Sequence, residues 1–260
     1  MTSRNNVALA CAWKVRGELV RFQQAYPQLA QLYSRIVVVM PPDSDPEIVQ
    51  TLQEFPLVAV VLAHNWAWGR HTAIQQAGTT GADYVHYVDF ERMLRWFETA
   101  AHEVPLIVTQ LQQTDCLIIG RTRQAFDTHA QALQQTETII NTIFSHLLGQ
   151  SVDLGGGSRG FSLRAVQFLM RNSPPGNAIG TDAEWPMLLH RAGFNVQFIA
   201  ADGLAWEVPD HYKSYAVDGA AQRAAAYAYD ADASRWALRV QTALEIVEAG
   251  LDAATRPLNN

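Results

Sequence analysis

Between residues 6 and 120 the chain alternates short apolar runs with stretches of helical spacing, and this alternation restricts its fold more than any other feature. Residues 6–13 (NVALACAW) read as a buried strand. Over 18–33, Leu19, Phe22, Ala25, Leu29 and Leu32 fall on one helical face. Residues 36–40 (IVVVM) form a continuous apolar run, the pattern of a parallel strand covered on both faces. Pro41, Pro42, Asp43, Ser44, Asp45 and Pro46 end it with turn chemistry. A short helix over 47–55, a strand over 57–62, a helix over 71–78, a strand over 83–88, a helix over 91–101 and a strand over 116–119 continue the alternation. Such an order implies βαβ units and an α/β fold with a mostly parallel central sheet flanked by helices. Ligands of these sheets lie beyond the carboxyl ends of the strands. The turns after Met40, Leu62, Val88 and Ile119 are therefore the places to look for a site.

The second half changes character. Residues 131–148 carry a long helical pattern, followed by Gly155, Gly156, Gly157, Ser158, Arg159 and Gly160, read as a loop. Helices over 163–170 and 182–192 and a strand over 195–199 follow. Residues 218–254 are Ala-rich and amphipathic and predict one or two closing helices. A length of 260 residues suits one large domain. The expected division is a domain over 1–215 and a helical extension over 216–260 packed on it.

A net charge of −6 without any basic run argues against nucleic acid as a partner. The longest apolar runs, such as 57–63, are strand-sized and too short to span a bilayer. Residues 1–6 lack the apolar core of a signal peptide, so a cytoplasmic location is expected. Cys11 and Cys116 lie in apolar strand-like runs and read as buried small hydrophobes rather than a disulfide or a metal site.

Chemistry concentrates at Asp89-Phe90-Glu91, which ends the strand DYVHYV and opens a helix. Two carboxylates so placed can reach one hard cation that holds a diphosphate. The plain alternative is acids favoured at a helix start by its dipole. The surroundings add to the first reading. Gly69-Arg70-His71 opens a helix that leads into Ala82-Asp83-Tyr84 and then Asp89. Downstream come DCLIIGR at 115–121, TIINTIFSHLLGQSVDLGGGSRGFS at 138–162, and Asp182-Ala183-Glu184 opening a helix that ends in Arg191-Ala192-Gly193-Phe194.

In order and spacing, this set over roughly 6–210 resembles family 2 glycosyltransferases, and the 138–162 block is similar to polyprenyl-phosphate sugar synthases and their relatives. The resemblance implies a GT-A type nucleotide-sugar-binding fold, a nucleoside-diphosphate-sugar donor and a divalent cation, Mn2+ or Mg2+. It implies an acceptor that is a small molecule, a polysaccharide or a lipid phosphate, and chemistry of the inverting kind. Asp43 or Asp45 would take the base or ribose, although capping of the next helix explains them equally well. Arg70 would meet donor phosphate or remain a solvated surface arginine. Asp89 and Glu91 would hold the metal, with His211 as a third ligand or a plain surface histidine. Gly157 and its neighbours would let backbone approach the ligand, and Arg159 would face phosphate. Asp182 and Glu184 are the candidate general bases. Glu184 is favoured for its reach and its place beside Trp185, whereas Thr181 and Asp182 suit helix capping. Trp66, Trp68, Trp185 and Trp206 could stack on sugar or simply fill core. A homodimer is compatible with the Ala-rich C-terminal helices.

Three departures from the family pattern occur: one is the set of prolines, Pro41, Pro42 and Pro46, beside Asp43 and Asp45, and the other two bear on the chemistry. The first strand runs into Ala10-Cys11-Ala12-Trp13-Lys14 rather than a Pro-x-Tyr-Asn-Glu-like turn, and the second acid is Glu91 rather than Asp. They keep open a non-catalytic nucleotide-sugar-binding protein. A sugar nucleotidyltransferase is the other rival, though the turn at 11–17 (CAWKVRG) lacks the Gly-rich, Arg- and Lys-bearing loop which that class wants.

Overall fold

The computed structural model describes residues 6–259. The stretch 1–5, part of the segment expected to carry no signal peptide, lies outside the described residues. The first half follows the expected alternation: β1 (Val7–Ala12), α1 (Leu19–Leu32), β2 (Arg35–Met40), α2 (Pro46–Gln53), β3 (Val58–Leu62), α3 (Gly69–Ala77), β4 (Tyr84–Val88), α4 (Phe90–Ala100), α5 (Glu103–Leu111) and β5 (Cys116–Arg121). Helix α5 is an addition to the expected set. Its buried Val104, Ile107, Val108 and Leu111 follow helical spacing, but the run is nearly as apolar as a strand. The remainder comprises α6 (Arg123–Phe126), α7 (Gln131–Leu148), β6 (Ser158–Ser162), α8 (Leu163–Asn172), α9 (Thr181–Arg191), β7 (Val196–Ala201), α10 (Gly219–Asp230) and α11 (Ala233–Thr255).

Among the described residues, seven strands form one sheet in the order β3-β2-β1-β4-β6-β5-β7. All neighbours are parallel except β6, which runs antiparallel to both β4 and β5. The Gly-rich stretch expected to be a loop is thus half strand. After a short 3-10 turn at Leu154–Gly156 the chain enters the middle of the sheet. Ser158 pairs with Val88 and Arg159 with Tyr87, which places Gly157 beside Asp89. Period-2 patterning is nearly absent here because both faces are covered, so the strand could not be read from alternation.

Each face of the sheet has its own core. Val7, Leu9, Cys11, Ile36 and Val38 pack with Phe22, Leu29, Met93, Trp96 and Leu111 from α1, α4 and α5. Ala8, Ala10, Val37, Val39 and Val85 face Ile74, Phe144, Leu169 and Leu188 from α3, α7, α8 and α9. Helix α11 packs along α9 and α7. Gly250 makes that approach possible: a Cβ there would lie 2.2 Å from Cζ of Phe144 and 2.8 Å from Cβ of Ala183. Both cysteines are buried and free, as the sequence suggested. Among the described residues no helix is long and apolar enough to cross a membrane.

Candidate functional site

The carboxyl ends of β1 and β4 open onto a cavity of about 260 Å³ walled in part by Ala12, Arg16, Trp66, Arg70, Asp89, Glu91, Glu207 and His211. A second cavity of about 130 Å³, lined like the first by Arg70 and Asp89, is walled also by Arg92, Glu137, Gly157, Asp182 and Arg239. Arg70, Asp89 and Ile179 belong to both walls. The turn after Val88 therefore borders both cavities, at the edge of the sheet where the topology directs the search.

Asp89 is the N-cap of α4, yet its carboxylate makes no capping bond. It accepts instead from Tyr87 Oη at 2.6 Å and from Arg70 Nη2 at 2.9 Å. The carboxylate is thus turned away from the helix start and into the cavity. Gly157 permits this packing. Its φ is +61°, and a Cβ there would come within 2.6 Å of Asp89 Oδ2. The carbonyl of Gly157 also accepts from the Asp89 amide at 2.9 Å. Glu91, one step into α4, accepts from Arg16 Nη1 at 2.8 Å. Burial pushes the Glu91 carboxyl up to about 7, with Asp89 adding to the rise and Arg16 opposing it. Arg70 bridges Asp89 and Asp182, the latter at 2.8 Å. Burial opposes the charge on Arg70, but Asp182 and Asp89 raise its pKa further above the arginine range.

Other expected site residues fall elsewhere. Asp45 caps α2, accepting from the Glu47 amide at 2.9 Å, and Asp43 is exposed. Neither lines the two cavities, and the capping role is the one that the Asp45 carboxylate fills here. Arg159, expected to face phosphate, lines neither cavity. It is 2% exposed and donates to the carbonyls of Leu154 at 2.6 Å, Ser158 at 2.7 Å and Asp182 at 3.2 Å. Its work is to fix the chain beneath the site. Glu184 is 1% exposed and points the other way, to Ser173 Oγ at 2.9 Å and to Arg256. On a helix the neighbouring positions of 182 face different sides, and here the acid at 182 meets the cavity while that at 184 meets the C-terminal segment. Trp185 and Trp206 are core, whereas Trp66 is 57% exposed and walls the larger cavity.

His211 walls the same cavity as Asp89 and Glu91, but the expected ligand trio does not converge. Among the described residues no three His, Cys, Asp or Glu side chains approach closely enough to hold a metal ion. Both oxygens of Asp89 already accept hydrogen bonds, and Glu91 is paired with Arg16. The arrangement does not fit a preformed divalent-cation site.

Arg16, Arg92 and Glu207 are among the cavity residues that the sequence reading did not single out. Arg16 comes from the turn after β1. Arg92 lies one helical turn from Asp89, donates to the Gly155 carbonyl at 2.7 Å and pairs with Glu207 at 3.3 Å. Among the described residues, the other buried carboxylate oxygen of Glu207 has no hydrogen-bond partner. Only Arg92 carried a local signal, the i,i+3 spacing from Asp89 that puts both on one helix face.

No family model matches the chain, and no curated protein matches it. Solved structures do. Glucosyl-3-phosphoglycerate synthase from Mycobacterium tuberculosis, in complex with Mn2+, uridine diphosphate and phosphoglyceric acid, superposes with a TM-score of 0.51 at 11% identity over 90% of this chain and 78% of that one. The same enzyme with Mn2+, UDP-glucose and phosphoglyceric acid gives 0.50 at 11% identity, over 90% and 79%. A mycobacterial protein gives 0.50 at 13% identity, over 75% and 64%. At such identities the likeness concerns architecture alone, and together with the strand order it shows that the chain has the GT-A type α/β fold.

Proposed function

We propose that the chain transfers a sugar from a nucleoside-diphosphate-sugar donor to a hydroxyl-bearing acceptor. The observation that carries this reading is the joined pair of cavities at the carboxyl edge of the sheet, where Arg16 and Arg70 meet Asp89, Glu91 and Asp182. Two guanidiniums on a partly buried cavity wall suit the phosphates of a donor. The fold's solved neighbours include complexes with UDP-glucose and a small phosphorylated acid, which supports a nucleotide-sugar donor and a small soluble acceptor. A cytoplasmic location belongs to the same reading, and so does descent from the family 2 pattern of motifs.

Roles follow from position. Arg70 contacts donor phosphate and is oriented by Asp89 and Asp182. Asp182, on the wall of the smaller cavity and held there by Arg70, takes the proton of the acceptor hydroxyl. The acceptor oxygen bonds to the anomeric carbon as the bond to the diphosphate breaks, with inversion, and the diphosphate leaves as an anion towards the guanidiniums. Trp66, exposed at the cavity wall, offers an indole face to the sugar. No step is assigned to a metal ion, because the acids that would hold one are engaged by arginines.

A thermal-shift panel of nucleoside diphosphates and their sugars tests donor binding, since a ligand of the folded state must raise its melting point. Release of diphosphate from the best donor, with candidate acceptors, tests transfer. Asp182→Asn should still bind donor and turn over at least about 100-fold more slowly. No stabilisation by any diphosphate or sugar at millimolar concentration would refute the proposal. Binding without turnover on any acceptor would favour a non-catalytic binding protein.

A further inference from the structure

Two of the ways in which this chain departs from the family motifs meet in space. The unusual turn after β1 delivers Arg16, and the acid that Arg16 reaches, at 2.8 Å, is Glu91, the residue that stands in place of Asp. In the same cavity Arg70 reaches Asp89 at 2.9 Å. Each acid expected to hold a divalent ion is therefore held by a guanidinium from a different segment. We propose that Arg16 and Arg70 replace that ion: they bind the donor diphosphate directly, and donor binding needs no metal. The inference rests on the proposed nucleotide-sugar reading of the site.

Charge and donor count fit the substitution. Two guanidiniums carry the same formal charge as one divalent ion. Arg70 uses Nη1 and Nη2 towards Asp182 and Asp89, and Arg16 uses Nη1. A guanidinium has five N–H donors, so both retain donors for phosphate oxygens. Their side chains are 16% and 24% exposed, open to the cavity yet partly desolvated, where charge-assisted hydrogen bonds are stronger. The carboxylates then have a different task. Asp89 and Asp182 grip Arg70 from two sides and set its plane, and the planar fork matches phosphate in two-point contact. Tyr87 completes the set, its hydroxyl holding the remaining Asp89 oxygen at 2.6 Å. An incoming diphosphate meets an oriented cationic clamp and need not wait for an ion to be captured.

Calorimetric titration of UDP, GDP and ADP into the full chain, in excess EDTA and again with Mn2+, tests this. At least one diphosphate should bind in EDTA with an affinity within about threefold of that in Mn2+. Arg16→Met and Arg70→Met should each weaken metal-free binding by roughly tenfold or more, the loss of one charge-assisted contact. Arg16→Lys and Arg70→Lys keep the charge and should retain part of the binding, which separates a lost contact from a lost fold. Mn2+ alone should bind wild type and Asp89→Asn equally weakly. Binding that requires Mn2+, or Met variants that bind like wild type in EDTA, overturns the inference and leaves donor binding intact. No binding of any diphosphate in either condition overturns the inference and the proposed function together.

Discussion

Replacing Glu184 by Ala should unsettle the fold and leave the site's chemistry alone. The carboxylate is 1% exposed, accepts from Ser173 Oγ at 2.9 Å and pairs with Arg256 just beyond the end of α11. Ser173 is itself tied in, taking a bond from Trp185 Nε1 at 3.0 Å and sharing one through its carbonyl with His71 at 3.0 Å. Removing one partner of a buried ion pair costs about 3–5 kcal/mol. Here the cost is lower, because the Arg256 side chain is 22% exposed and keeps Asp252 at 2.8 Å and the Asn172 carbonyl at 2.7 Å. A loss of about 2–3 kcal/mol remains once the discount for screening is applied. For a chain of this size that lowers the melting temperature by about 5–10 °C. Glu184→Gln retains an acceptor for Ser173 and should lose about half as much. Scanning calorimetry measures the shift, and diphosphate affinity measured well below the transition should match wild type in both variants. An unchanged melting temperature with abolished transfer would refute the reasoning and return Glu184 to the role of general base.

Three further outcomes follow from the packing. Arg159→Ala should cost about 2–4 kcal/mol in urea unfolding, because it deprives the carbonyls of Leu154 and Ser158 of buried donors; a stability near wild type would mean that Arg159 does not hold the fold. Gly250→Val should destabilise by about 2–3 kcal/mol through overpacking against Phe144 and Ala183, and a variant as stable as wild type would contradict the close α11–α7 contact. His86, hydrogen-bonded to Tyr33 at 2.7 Å and Ser158 at 3.0 Å, has its pKa lowered by burial from 6.5 to about 3. The folded form thus stays neutral while the unfolded form takes up a proton. Its contribution to stability is complete above 6.5 and is lost as pH falls from there towards 3, at up to about 1.4 kcal/mol per pH unit. Imidazole resonances of His86 that titrate between pH 5 and 8 would contradict this.

Most of the fold was legible because its signals are local. The apolar runs that become β1 to β5, the helical spacing of α1, α4 and α7, and the turn chemistry after Met40 each operate within a few residues. Their order alone implied a parallel sheet with a site after Val88, and Asp89, Glu91, Arg70 and His211 indeed wall one cavity. The direction of β6 was not legible. An antiparallel strand inserted between β4 and β5 depends on partners some 70 and 40 residues away, and its Gly-rich sequence has the look of a loop. The division of labour between Asp182 and Glu184 was also hidden, because it depends on which side of α9 meets the cavity and which meets the C-terminal segment. Arg16 and Glu207 carried no local signal at all. What the sequence determined by itself was the alternation of elements and the edge of the sheet at which chemistry gathers. What only the tertiary structure decided was the partner of each charge: Asp89 and Glu91 face arginines from remote segments, and a side chain's electrostatic partner is set by the path of the whole chain rather than by its neighbours in sequence.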